Sequence, residues 1–248
     1  MRQLLLLALA MAACDRPAPP VQPPVGPQTA PAPPDPAFTA VIEGRVRYAG
    51  PAPKPRFHDV SGNAWCNARH KGRLADEELV VNPDGTLRNV FVYVKSGVEG
   101  RRYPVPETAV TLDQVECRYA PRVLGVQAGR PLVVRSSDDT IHNVHLRGTL
   151  NPEANDGFPG SGFEKEYRLA NPEVMIRVTC DIHSWMRAWI GVLPHPCFAV
   201  TGADGSFELK PLPPGRYVVE AWHESLGTRT ATIDAGGKAR LDFEFQTK

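Results

Sequence analysis

The feature that most constrains this chain is a period. Short runs that alternate apolar with polar residues, or that are rich in β-branched ones, recur along it, and no long amphipathic helical pattern appears. The clearest span residues 39–48, 89–95, 123–127, 131–135, 174–179, 188–193, 206–209, 217–222 and 241–245. Asn82-Pro-Asp-Gly85, Ala203-Asp-Gly205 and Pro213-Pro-Gly215 separate some of them and supply the backbone angles of tight turns. Many short strands punctuated in this way predict an all-β fold of sandwich or barrel type. One short helix is expected near Ala64–His70.

Not all of the chain reads as strand. Residues 1–13 carry one arginine, an apolar run from Leu4 to Met11 and two alanines, after which comes Cys14. That run is too short to span a bilayer and reads as a secretory signal. Small residues ending in cysteine resemble the bacterial lipoprotein signal, which implies lipid modification of Cys14 and a bacterial cell-envelope, periplasmic location. Ten of the 26 prolines fall within residues 17–36. Residues 14–37 are therefore expected to be an extended, semi-rigid tether holding the folded part off a membrane. The whole chain carries a formal net charge of +1, which gives no electrostatic reason to expect nucleic acid as a partner. Five cysteines in 248 residues are too few for a disulfide scaffold.

The chemistry concentrates in Cys180-Asp-Ile-His183-Ser-Trp-Met186, which links one expected strand to the next. Thiolate and thioether are soft ligands that suit copper, and two His with one Cys and a weak axial Met form the blue-copper set. Zinc fits poorly, because its usual ligands do not include Met. The second His is expected upstream, in His142-Asn-Val-His145.

Cys180-x-x-His183-x-x-Met186 with that upstream motif resembles the cupredoxin family in its amicyanin- or plastocyanin-like form. The resemblance runs from about Thr111 to Pro194 and includes Tyr119-Ala-Pro and Val126-Gln-Ala-Gly129. It implies a Greek-key sandwich binding one type 1 copper ion. By that resemblance His142, Cys180, His183 and Met186 are the ligands, with His183 the more exposed histidine. The family usually has Asn six residues before the first ligand, bracing the ligand loop; here that residue is Ser136, read with Asn143 as an outer support. His145 is read as structural. His183 and Trp185 are expected at the exposed edge, where a redox protein partner would dock.

Cys66 and Cys117 are paired in a tentative disulfide, Cys180 being committed to metal. The alternative for Cys66 is a second metal site shared with His70. Cys197 is left as a buried thiol of unassigned role. His195 and His223 are read as packing or surface residues.

Asp204-Gly205-x-Phe207 and Leu212-Pro-Pro-Gly-x-Tyr217 resemble the carboxypeptidase regulatory-like, prealbumin-type β-sandwich, and residues 42–50 resemble its opening strand. The regions are thus 38–107, an N-terminal β region shared with that sandwich or separate from it; 108–196, the copper domain; and 197–248, the regulatory-like module. Whether the copper domain is inserted or in tandem stays open. No nucleophile–base pair or paired-carboxylate motif is present, and four protein ligands leave no open position for substrate. The expected function is single-electron transfer by a membrane-tethered, non-enzymatic carrier. The alternatives are copper handling without redox turnover and a surface-binding module whose loop is structural.

Overall fold

The computed structural model describes residues 38–247. The expected signal, Cys14 and the proline-rich tether lie outside the described residues. The described chain is built almost wholly from strands. The first four are β1 (Ala40–Tyr48), β2 (Phe57–Asp59), β3 (Arg73–Ala75) and β4 (Phe91–Ser96), with helix α1 (Ala64–His70) between β2 and β3. A contiguous block follows: β5 (Val110–Val115), β6 (Arg118–Ala120), β7 (Val123–Gln127), β8 (Pro131–Ser136), β9 (His142–Arg147), β10 (Ala154–Phe158), β11 (Glu164–Arg168), β12 (Glu173–Thr179) and β13 (Arg187–Leu193). The last six are β14 (Phe198–Val200), β15 (Ser206–Leu212), β16 (Gly215–His223), β17 (Gly227–Ala235), β18 (Lys238–Arg240) and β19 (Phe243–Phe245).

The block β5–β13 forms its own sandwich. One sheet has the order β10-β9-β12-β13-β7 and the other β11-β8-β5-β6, and a core of Leu112, Leu132, Val144, Phe158, Ile176 and Ile190 lies between them. The second sandwich is discontinuous in sequence. Strand β1 pairs with β15, β18 and β19, and β4 lies between β14 and β16. The 38–107 and 197–248 segments therefore share both of its sheets, and the block β5–β13 interrupts it.

Two strands explain why the chain has runs that are apolar on both faces. On β4, Val92 and Val94 enter the core of the discontinuous sandwich, while Phe91 and Tyr93 face a separate cluster at the junction with the other sandwich. On β13, Ala188, Ile190 and Val192 face the copper-motif side, while Trp189 and Leu193 face that same junction. Strand geometry sends alternate side chains to opposite faces, so a strand covered on both sides must be apolar at every position. Two glycines make the junction close-packed. A Cβ at Gly125 would lie 2.3 Å from the Phe198 ring, and one at Gly191 would lie 2.5 Å from the Phe91 ring. Arg122 donates to Glu224 across the junction at 2.5 and 3.0 Å, and Trp189 Nε1 donates to the same carboxylate at 3.0 Å.

The β2–α1–β3 excursion has a small core of its own, Val60, Cys66 and Leu74, closed by Cys117 from the β5–β6 turn and flanked by Trp65 and Trp185. Asn63 caps α1 by accepting from Cys66 N–H at 2.9 Å, and Lys71 ends it at φ 52°.

Candidate metal centre

The loop 180–186 joins β12 to β13, whose ends face each other at Thr179 and Arg187. It is a compact turn. Met186 N–H donates to His183 O at 2.9 Å, Cys180 N–H to Met186 O at 3.3 Å, and His183 N–H to Cys180 Sγ at 3.4 Å. Three-residue spacing thus turns the Cys180 and His183 side chains toward one point. His142 comes from β9, which it opens. Its neighbours Thr140 and Ile141 form the approach to β9, and His145 pairs with Thr179 across to β12.

The candidate ligand atoms converge. His142 Nδ1 lies 3.0 Å from His183 Nδ1, and His183 Nδ1 lies 3.8 Å from Cys180 Sγ. The three atoms are within 4.8 Å of one another, and all three residues are buried. Met186 is buried in the same core as Cys180. A donor set of two imidazole nitrogens and a thiol, with a thioether alongside, fits a soft monovalent or borderline divalent ion of the copper type. Cys117 also lies near His142, but its sulfur is taken by a disulfide with Cys66. Cys66 is therefore no metal ligand, and His70 instead donates to Glu116 O at 2.9 Å.

Electrostatics favour a charged thiolate. Burial alone would raise the Cys180 thiol, but hydrogen bonds with His142 and His183 and at the Asn143 and His183 backbone bring it down to about 6. Burial likewise works against charge on His142, yet its bond to Asp138 and its contact with Cys180 raise it above the ordinary histidine value.

Asn143 and Ser136 support the site unequally. Asn143 Oδ1 accepts from Cys180 Sγ at 3.2 Å and from Asp181 N–H at 2.7 Å, which pins the start of the ligand loop. Ser136 reaches the site only at second hand, its hydroxyl donating to Asp138 O at 3.3 Å. His145 points away from the cluster and contacts Asp181 at 3.0 Å and Glu153.

Two residues of the site went unnoticed in the sequence. Asp138, buried, receives His142 Nε2 at 2.9 Å and also accepts from Glu116 N–H at 2.6 Å and Cys117 N–H at 2.7 Å. Glu116 and Cys117 form the two-residue β5–β6 turn at φ 52° and 58°, unfavourable for side chains other than glycine. The Asp138 carboxylate accepting both N–H groups offsets that cost. The second residue is Asn63, whose Nδ2 lies 3.0 Å from His183 Nε2. The Asp138-x-x-x-His142 spacing and the cap signal at Asn63 were both present in the sequence, but neither reveals a contact with a ligand.

The expectation of an exposed edge at His183 is corrected here. His183 is 3% exposed, and Asn63, the residue that caps α1, lies against its outer nitrogen. Trp185 is half-buried, stacks at 5.0 Å from His183 and donates to Cys117 O at 3.1 Å. The cavity bordered by Trp185 and Met186 holds about 10 Å³, room for one water at most.

No protein-family model and no curated protein matches the sequence. Among solved structures, a point mutant of amicyanin in its Cu(I) form is similar at 18% identity and TM-score 0.31, covering 41% of this chain and 97% of that one. A purple cupredoxin from Nitrosopumilus maritimus is similar at 15% identity and TM-score 0.29, covering 34% of this chain and 97% of that one. A Cu-containing nitrite reductase from Thermus scotoductus is similar at 21% identity and TM-score 0.31, covering 38% of this chain. The chain spans 24% of that reductase. Likenesses this distant say nothing of activity.

Proposed function

We propose that this chain is a mononuclear copper protein that carries single electrons. The observation that carries the reading is the buried convergence of His142 Nδ1, His183 Nδ1 and Cys180 Sγ, with Met186 buried in the same core as Cys180. Bound there, copper supplies a Cu(II)/Cu(I) couple. The residues do the rest. Cys180 enters as thiolate, favoured by its hydrogen bonds. Asn143 and the turn of 180–186 hold the donor geometry fixed, which keeps reorganisation small when charge changes. The burial of all three donor residues favours electron transfer over substrate chemistry.

The rest of the proposal concerns place. Residues 1–37 read as a signal, a lipidated Cys14 and a proline-rich tether, so the carrier is periplasmic and anchored to a membrane. The discontinuous sandwich, prealbumin-like in sequence, acts as the body that holds the copper sandwich. A redox protein partner docks near His183 and Trp185, meeting the metal through the surface of α1.

Titration of the purified chain with Cu(II), followed by metal analysis and visible spectroscopy, tests the reading. One equivalent of copper is expected, with strong visible absorption from thiolate-to-copper charge transfer. A colourless complex or sub-stoichiometric copper overturns it.

A further inference from the structure

The two ligand histidines differ in what holds their outer nitrogens. A metal takes only a neutral imidazole, which carries one hydrogen, so in that form each hydrogen bond the ring makes assigns a tautomer. Asp138 accepts only, so at 2.9 Å His142 Nε2 is the N–H and its Nδ1 presents a lone pair. Asn63 Oδ1 is occupied by Cys66 N–H at 2.9 Å, which leaves Nδ2 facing His183 Nε2 at 3.0 Å. An amide nitrogen donates, so His183 Nε2 accepts and its hydrogen sits on Nδ1. That hydrogen points at His142 Nδ1, 3.0 Å away. One continuous chain results: Asn63 to His183 to His142 to Asp138, each group donating to the next.

The ends of this chain are linked through a disulfide. Asn63 caps the helix that carries Cys66, Cys66 is bonded to Cys117, and Cys117 N–H donates to Asp138 at 2.7 Å. The disulfide and the hydrogen-bond chain close a ring around the two ligands.

We propose that Asp138 and Asn63 are positioning residues of the metal centre that act in opposite senses. Asp138 keeps His142 in the tautomer that offers Nδ1 to a metal. Asn63 keeps His183 in the tautomer that does not. This rests on the copper reading above. For His183 Nδ1 to take a metal, the hydrogen on Nδ1 must leave and one must appear on Nε2, the ring staying neutral. Asn63 must then turn its amide over to accept from Nε2–H, and so gives up its cap on Cys66 N–H. Metal loading is thereby coupled to the N-terminal turn of α1, and the cap opposes it.

Imidazole ¹⁵N NMR of the metal-free protein, at a pH where both rings are neutral, tests the tautomers directly. Nε2–H is expected on His142 and Nδ1–H on His183; the same tautomer on both rings overturns the proposal. Loading with Cu(I), which is diamagnetic, is expected to switch His183 to Nε2–H and to speed exchange of the Cys66 amide. An unchanged Cys66 amide contradicts the coupling. Asn63→Asp supplies an oxygen to both Cys66 N–H and His183 Nε2–H, so it is expected to tighten copper binding about tenfold and lower the reduction potential. A merely structural Asn63 predicts weaker binding in Asn63→Asp and Asn63→Ala alike. Asp138→Asn is expected to weaken binding by about ten- to a hundredfold; if it does not fold, the Asn63 pair and the metal-free spectrum still decide. A wild-type chain that takes up no copper sinks the copper reading alone, and the metal-free tautomers then stand or fall on their own spectrum.

Discussion

Each sandwich buries a cysteine and histidines, and the two sets behave in opposite ways. In the discontinuous sandwich, burial pushes the Cys197 thiol up to about 11, a Tyr103 hydrogen bond only partly opposing it. Burial, helped by Arg122, pushes His223 down to about 4, and burial lowers His195 too. In the β5–β13 sandwich the Cys180 thiol is held at about 6 and His142 lies above its usual value. All these side chains are less than a tenth exposed. Depth is therefore not what separates them. In one sandwich the groups sit among apolar neighbours and burial suppresses charge; in the other they face one another, with Asp138 and Asn143 behind them. A buried site is recognised where local hydrogen bonds reverse the sign that burial alone would impose.

The largest expected effect breaks this comparison at its centre. Cys180→Ala is expected to lower copper affinity by more than about a hundredfold, since it removes a ligand rather than a support, whereas Cys197→Ala leaves affinity and visible absorption unchanged. Competition titration against a copper chelator measures both. Equal losses in the two variants would erase the distinction between the thiols.

The next effect concerns the ring that braces the site. Residues 66 and 117 are 51 apart in sequence, and a loop of that size gives a disulfide worth about 4 kcal/mol in the chain-entropy account. Urea unfolding of the Cys66→Ser, Cys117→Ser double variant is expected to show a loss of that order. A loss below about 1 kcal/mol means that the β2–α1–β3 excursion is held by packing alone.

His223 sharpens the other side. Its folded value of about 4 lies below the 6.5 of an unperturbed histidine, so between those values the folded chain keeps it neutral while the unfolded chain protonates. Its contribution is whole above pH 6.5 and is lost as the pH falls to about 4, a total of about 3 kcal/mol. His223→Leu should flatten the stability profile by that amount over this window, measured by denaturant unfolding at several pH values. An unchanged profile contradicts the assignment of His223 as a plain core histidine.

The smallest effect lies at the junction. Gly191→Ala places a methyl 2.5 Å from Phe91 and is expected to cost about 1–3 kcal/mol without altering the copper spectrum. A change in that spectrum would mean that the junction and the metal centre are coupled.

Much of this was legible in the sequence, and the particular failures are informative. Strands β4, β7, β12 and β13 follow the expected runs because each is long and apolar enough to show its period. Strands β10 and β11 were missed: they lie at sheet edges, and almost none of their residues is buried, so polar residues mask the alternation. The ligand residues stood out because three share one seven-residue loop. Asn63 did not, because 120 residues separate it from His183 and its cap signal is complete without that contact. The same distance hid the burial of His183. Exposure was inferred for a bare loop, and the residue that covers it, Asn63, comes from a segment distant in sequence.

Voltammetry of the copper-loaded chain tests the central claim most directly. The account predicts one reversible wave, one electron per chain, with copper retained in both states by its buried ligands. An irreversible wave, or copper released on reduction, would contradict electron transfer and make the site one that binds copper and hands it on.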